Sequence, residues 1–106
     1  MSLLEETKRI LGAYKIYPKR RLGQNFLVDD EALDKMINYA SLSEDDYVLE
    51  IGAGLGFLTE RLAEIAKQVI AVEIDPRLIR VLTSRLRRYN NVTLLKGDIL
   101  KMDIPK

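Results

Sequence analysis

The chain has 106 residues, 47% hydrophobic and 31% charged, which is room for one small domain with a packed core. Its 17 Lys and Arg nearly balance its 16 Asp and Glu, so the net charge of +1 singles out no class of partner. There is no cysteine and no histidine, which excludes a disulfide framework, a thiolate metal site, the usual zinc ligand and the usual general base.

Any chemistry must therefore work through carboxylates, amides, main chain or a cofactor. No apolar run approaches the roughly 18 residues that span a bilayer. The N-terminal segment is amphipathic and charged, unlike a signal peptide. These features lead to the expectation of a cytoplasmic protein with no membrane partner.

Ser2-x-x-Glu5 reads as a capping box opening a helix to about Leu11, with Leu3, Leu4, Thr7, Ile10 and Leu11 on one face and Gly12 ending it. Residues 13–28 hold no acid but do hold Lys15, Lys19, Arg20 and Arg21, with Tyr14, Tyr17 and Phe26 interleaved and Pro18 favouring an extended path. Two readings of this stretch stand side by side. One is phosphate contact with aromatics for base stacking; the other is a solvated arm.

Asp29 or Asp30 caps a second predicted helix to about Ala40, with Leu33, Met36, Ile37 and Ala40 at helical spacing. A polar turn over 41–46 precedes a strand over 47–51. A helix over 57–66 buries Leu58, Leu62, Ile65 and Ala66. A strand over 68–73 comes next. Asp75-Pro76 then supplies an N-cap and a proline at the first helical position. The helix over 77–88 turns Leu78, Ile79, Leu82 and Leu86 inward, and its arginines read as a solvent face. Asn90-Asn91 is a turn, 92–95 a third strand, and Gly97-Asp98 a loop at its end. Alternating strands and helices imply an α/β fold with three parallel strands and right-handed crossovers, behind a helical and basic N-terminal extension.

The loop between the first strand and its helix is Glu50-Ile51-Gly52-Ala53-Gly54-Leu55-Gly56. Its glycines allow a sharp turn and a close approach of ligand to main chain. It is not the dinucleotide fingerprint, since the sixth position from Gly52 is the bulky Phe57. A leading carboxylate suits a positively charged ligand better than a pyrophosphate. S-adenosylmethionine, with an ammonium, a sulfonium and a ribose, fits on these grounds. Ligands of open parallel sheets lie beyond the carboxyl ends of the strands, where this chain has Glu50, Glu73 and Asp98. Glu73 has two oxygens for the two ribose hydroxyls. Asp98 suits an adenine amino group, with Ile74 and Ile99 over the ring faces.

With these motifs, Leu22-Gly23-Gln24-Asn25-Phe26-Leu27 makes the chain resemble the small-subunit ribosomal RNA adenine N6-dimethyltransferases, over about residues 15–106. The basic prelude resembles that of archaeal members, and the erythromycin-resistance RNA methyltransferases share the motifs. The resemblance implies a Rossmann-like, S-adenosylmethionine-dependent methyltransferase domain. The implied reaction dimethylates two adjacent adenosines near the 3′ end of small-subunit rRNA, with a role in small-subunit biogenesis. It assigns Asn25 and Leu27 to the methionine end of the cofactor, Gly52 and Gly54 to the main-chain approach, Glu73 to the ribose, and Asp98 to the adenine, over whose ring face Ile74 lies. Gln24 would shape the substrate side, and Lys15, Lys19, Arg20 and Arg21 would hold RNA.

The family's catalytic Asn-Leu-Pro-Tyr element is absent from these residues. The expectation is therefore an N-terminal piece of a longer enzyme: an extension over 1–40 and a partial methyltransferase domain over 41–106, binding cofactor without catalysing transfer. A fourth strand would normally pair with the first, so an open edge at Val48, Leu49 and Ile51 invites self-association. The alternative function is a non-catalytic RNA- or cofactor-binding module in ribosome assembly. The Leu22 to Leu27 element disfavours a small-molecule methyltransferase, and Phe57 disfavours a dehydrogenase.

Overall fold

A computed structural model of the chain describes residues 2–16 and 30–101. The chain divides into two compact units, Met1–Leu42 and Ser43–Lys106. The expected contributions of Lys19, Arg20, Arg21, Gln24, Asn25, Leu27 and the Asp29 cap lie outside the described residues.

In the first unit, α1 (Leu3–Tyr14) opens on the predicted capping box: Glu5 N–H donates to Ser2 Oγ at 3.1 Å and Ser2 N–H to Glu5 Oε1 at 3.4 Å. The helix runs through Gly12, contrary to expectation. A glycine inside a helix costs only about 1 kcal/mol, and the stop comes from Lys15, whose left-handed φ of 55° lets Ile16 N–H reach the Leu11 carbonyl at 2.9 Å. Leu3, Thr7 and Ile10 form the buried face, while Leu4 is exposed. The second helix, α2 (Asp30–Ala40), carries Asp30 and Glu31 in its first turn, where the helix dipole favours them. Of its expected apolar face only Leu33 is fully buried; Met36 and Ala40 are exposed.

The second unit alternates strand and helix: β1 (Tyr47–Ile51), α3 (Phe57–Ile65), β2 (Gln68–Glu73), α4 (Pro76–Arg85) and β3 (Val92–Lys96), then a 3₁₀ turn at Ile99–Lys101. The strands form one parallel sheet in the order β1-β2-β3, with Glu50 opposite Ala71 and Ala71 opposite Leu94. The sheet grows in one direction, so two right-handed crossovers put both helices on the same face. There Ala71 packs with Leu82 of α4 and with Leu86 just after it, with Val92, Leu94 and Ala53 around them.

Two differences of phase separate the helices from their predicted faces. On α3 the buried residues are Phe57, Thr59, Leu62 and Ala63, whereas Leu58 and Ile65 are half-buried. On α4 Val81 is buried and Ile79 only partly. Helix α4 also ends earlier than expected, at Arg85, with Leu86 as C-cap.

The arginines of α4 are not merely a solvent face. Arg85 and Arg88 both pair with Glu60 of α3, and the Arg85 guanidinium lies 4.6 Å from the Phe57 ring centroid. That ties the two helices together over the sheet. Asn91 completes the tie below, its side-chain amide donating to the Ala63 and Ala66 carbonyls at 2.8 and 3.1 Å.

On the opposite face Tyr47, Leu49 and Ile51 are exposed, Ile51 by 60%. Parallel sheets are normally covered on both faces. The open apolar surface is therefore Tyr47, Leu49 and Ile51. Val48, expected at the same edge, points to the helix side and is half-buried.

Gly56 sets how closely α4 can approach the loop. Its φ is +90°, and a Cβ there would meet Leu82 Cδ2 at 3.0 Å. Gly52 (φ +78°) and Gly54 (φ +62°) face open space. Gly56→Ala should therefore lower unfolding free energy by about 2–3 kcal/mol and Gly52→Ala by about 1 kcal/mol, backbone strain alone accounting for the latter. Urea unfolding of both variants measures the difference, and equal losses would contradict the packing role of Gly56.

Candidate functional site

The loop from Gly52 to Gly56 hangs between two strand ends. Gly52 and Ala53 N–H both donate to the Val72 carbonyl, at 2.8 and 3.2 Å. Gly54 N–H donates to Glu73 Oε1 at 2.8 Å, and Asp75 N–H to Glu73 Oε2 at 3.0 Å. The Glu73 carboxylate, 5% exposed, thus fixes the loop after β1 and the entry to α4 together. A carboxylate has about four acceptor positions, so two remain for a ligand. Asp75 takes the predicted N-cap position, accepting from Arg77 N–H at 2.9 Å while Arg77 Nη2 pairs with its other oxygen at 2.7 Å.

Beyond the strand ends is a cavity of about 140 Å³ lined by Ile51, Gly52, Val72, Ile74, Gly97, Asp98 and Ile99. The register of a parallel sheet dictates this meeting, since β1, β2 and β3 all finish at one edge. Asp98 is half-buried, and its Oδ1 accepts from Leu100 N–H at 2.9 Å to hold the 3₁₀ turn. Its Oδ2 has no partner among the described residues. A larger hollow of about 380 Å³ lies between α4 and β3, with Arg87 and Lys96 at its rim and no carboxylate in its lining. The smaller cavity is the better candidate, because open glycines, apolar walls and a carboxylate converge there. Among the described residues no cluster of acids could hold a metal ion.

Gly52, Ile74 and Asp98, three of the predicted ligand residues, line this cavity, with Ile99 as the expected second apolar wall. Gly54 and Glu73 are joined to each other beside it. Lys15 is exposed at the end of α1 in the first unit.

Glu50 differs from the expectation of a carboxylate facing the ligand. It is buried, and Thr59 Oγ1 donates to its Oε1. Burial pushes the Glu50 carboxyl up to about 7; the Thr59 hydroxyl opposes this and the Glu73 carboxylate adds to it. Thr59, itself 0% exposed, is the residue the sequence reading missed. The signal was present: a hydroxyl in the stripe Leu55, Thr59, Leu62, Ala66 needs a buried partner.

A carboxyl raised in the folded state favours folding while protonated, so its contribution is complete below pH 4.5 and is lost as pH rises through about 7. The chain has no histidine to titrate in that window. Wild type should lose about 3 kcal/mol of stability between pH 4.5 and pH 8, on the 1.36 kcal/mol per pKa unit scale, and Glu50→Gln should lose far less. Thermal unfolding across that range checks it; parallel profiles for the two proteins would refute the assignment.

A parallel sheet with glycine turns and acids at the strand ends defines a Rossmann-like nucleotide-binding class, and comparison with known proteins narrows it. The family model for ribosomal RNA adenine dimethylases matches residues 17–106. The chain is 47% identical over 100 residues to ribosomal RNA small subunit methyltransferase A of Bacillus pumilus, covering 94% of this chain and 34% of that protein. Among solved structures, a dimethyladenosine transferase from Plasmodium falciparum superposes with a TM-score of 0.71 at 40% identity, covering 77% of this chain and 30% of that one. The 23S rRNA methyltransferase ErmE superposes with a TM-score of 0.70, also at 40% identity, covering 76% and 33%.

The chain belongs to the ribosomal RNA adenine dimethylase family. It spans about a third of the length of the curated relatives it matches.

Proposed function

We propose that this chain forms the S-adenosylmethionine-binding part of an enzyme that dimethylates N6 of two adjacent adenosines near the 3′ end of small-subunit rRNA, in the course of subunit biogenesis. The observation that carries the reading is the single cavity where Gly52, Ile74 and Asp98 meet beside a Glu73-anchored glycine loop, in a chain of this family. The residues suit that cofactor. The missing side chains of Gly52 and Gly54 leave open space against main chain. Glu73 keeps acceptor capacity for ribose hydroxyls, and Asp98 Oδ2 is available to an adenine amino group. Ile74 and Ile99 supply apolar contact for the ring.

When bound, the cofactor supplies a methyl group made electrophilic by its sulfonium. The residues of this chain bind and orient it and keep water from one side. Asn25 and Leu27 would hold its methionine end. Lys15, Lys19, Arg20 and Arg21 would meet RNA phosphates, a contact that weakens as salt rises. The acceptor-side element of the resemblance lies outside these 106 residues, so they are proposed to bind without transferring methyl. The small-subunit target is favoured over the 23S target of ErmE by the name the curated relatives share.

Calorimetric titration of S-adenosylmethionine should give weak binding to wild type and at least tenfold weaker binding to Glu73→Ala, which loses the ribose acceptor and frees Gly54 together. Equal affinity for both would remove Glu73 from the site, and binding of NAD instead would overturn the class. We also propose that the isolated chain self-associates through the open surface of Tyr47, Leu49 and Ile51. Sedimentation at rising concentration should show a dimer that Leu49→Lys disperses; a monomer throughout would contradict it.

A further inference from the structure

One buried ionisable group has no part in the binding scheme above. Glu50 sits at the penultimate position of β1, two residues before Gly52. Its side chain faces the helix side of the sheet, where Thr59 of α3 donates to it. On the neighbouring strand end stands Glu73, whose oxygens already receive main-chain N–H groups from Gly54 and Asp75. The groups that act on Glu50 are the neutral Thr59 hydroxyl from α3 and the Glu73 carboxylate from β2, and no cation is among them. Among the described residues the glycine loop is therefore backed by two adjacent carboxyl groups, and no cation acts on Glu50.

We infer that Glu50 is a charge-sensing positioning residue: anchored by Thr59 behind the glycine loop, it ionises when a sulfonium ligand occupies the loop and takes up a proton when a neutral thioether replaces it. This rests on the cofactor reading proposed above. Its physical basis is linkage. A buried carboxylate beside another carboxylate is disfavoured, and a nearby cation favours its charged form. Methyl transfer moves the methyl group from sulfur to the acceptor amine, the amine proton is lost, and the sulfur becomes uncharged. The site thus holds one positive charge fewer after transfer than before. With Glu50 titrating near neutrality, the chain can match that change by binding one proton. Ionised Glu50 favours the charged methyl donor; protonated Glu50 no longer distinguishes it from the spent product. Glu50 makes no ligand contact in this scheme and acts through the loop it supports.

The test compares S-adenosylmethionine with S-adenosylhomocysteine, which differ in the sulfonium charge. Affinities for both are measured calorimetrically with the whole chain at pH 6 and pH 8, in two buffers of different ionisation enthalpy. For wild type, the ratio of donor affinity to product affinity should rise about three- to tenfold from pH 6 to pH 8, the effect of a shift of up to about one pKa unit. Donor binding at pH 7 should release a fraction of a proton. In Glu50→Gln, which keeps the Thr59 acceptor, the ratio should be flat and proton release absent.

A flat ratio in wild type, or the same pH dependence in Glu50→Gln, overturns the inference while leaving the cofactor reading intact. Failure of wild type to bind either ligand overturns the cofactor reading itself, and this inference with it. A ligand-free measurement separates the two. The carboxyl carbon resonance of Glu50 in wild type should titrate near pH 7 and move upward in Thr59→Val. A midpoint in the ordinary carboxylate range would overturn the inference whatever the ligands do.

Discussion

The Glu73 carboxylate is the interaction on which the arrangement of the site depends. It receives one N–H from the glycine loop and another from the entry to α4. Two stretches of main chain, at Gly54 and Asp75, 21 residues apart in sequence, are thereby fixed to one side chain at the end of the central strand. The free loop would otherwise hold three glycines in left-handed conformations at an entropic disadvantage. A charged acceptor makes these bonds stronger than neutral ones, and burial keeps water from competing. The residue proposed to accept a ribose is thus also the residue that shapes the loop beside it.

Glu50 shows how two carboxylates with similar sequence contexts are assigned different tasks by packing. Both lie in the last two positions of apolar strands. Glu73 meets main-chain donors and stays in contact with the strand-end edge, whereas Glu50 turns under α3 and meets a single hydroxyl. Alternation does not separate them, since Glu73 stands two residues beyond Ala71, the partner of Glu50, and so lies on the same side of the sheet; position along the strand does. Glu50 shares a row with Ala71 and Leu94, which pack beneath the helices. The cost of burying it is met by a raised proton affinity and not by an ion pair.

Alternation does explain the open side of the sheet. Successive strands added in one direction send both crossover helices to one face, and Arg85, Arg88 and Glu60 clamp them there. The other face of a parallel sheet also needs cover. Tyr47, Leu49 and Ile51 form an apolar face that these helices do not reach. Among the described residues, the lining of the strand-end cavity comes from β1, β2 and the turns that follow the three strands.

Strand ends and the order of elements were legible in the sequence, because strand periodicity, a proline at N1 and glycine spacing are local signals. The spans 47–51 and 68–73 match β1 and β2, and Asp75 caps α4, as its acceptor carboxylate and the following proline favour. The meeting of Gly52, Ile74 and Asp98 was also legible, since parallel strands must finish at one edge. Helix phase was not: Thr59 and Val81 are buried, whereas Leu58 and Ile79 are only partly so, because which stripe of a helix turns inward is set by its packing against the sheet and its neighbour. Nor could sequence tell which oxygen partner each acid takes. Glu50 and Glu73 have the same chemistry, and only the tertiary structure put one against a hydroxyl in an apolar layer and the other against two amides, since solvation and neighbours are properties of packed space and not of chain order.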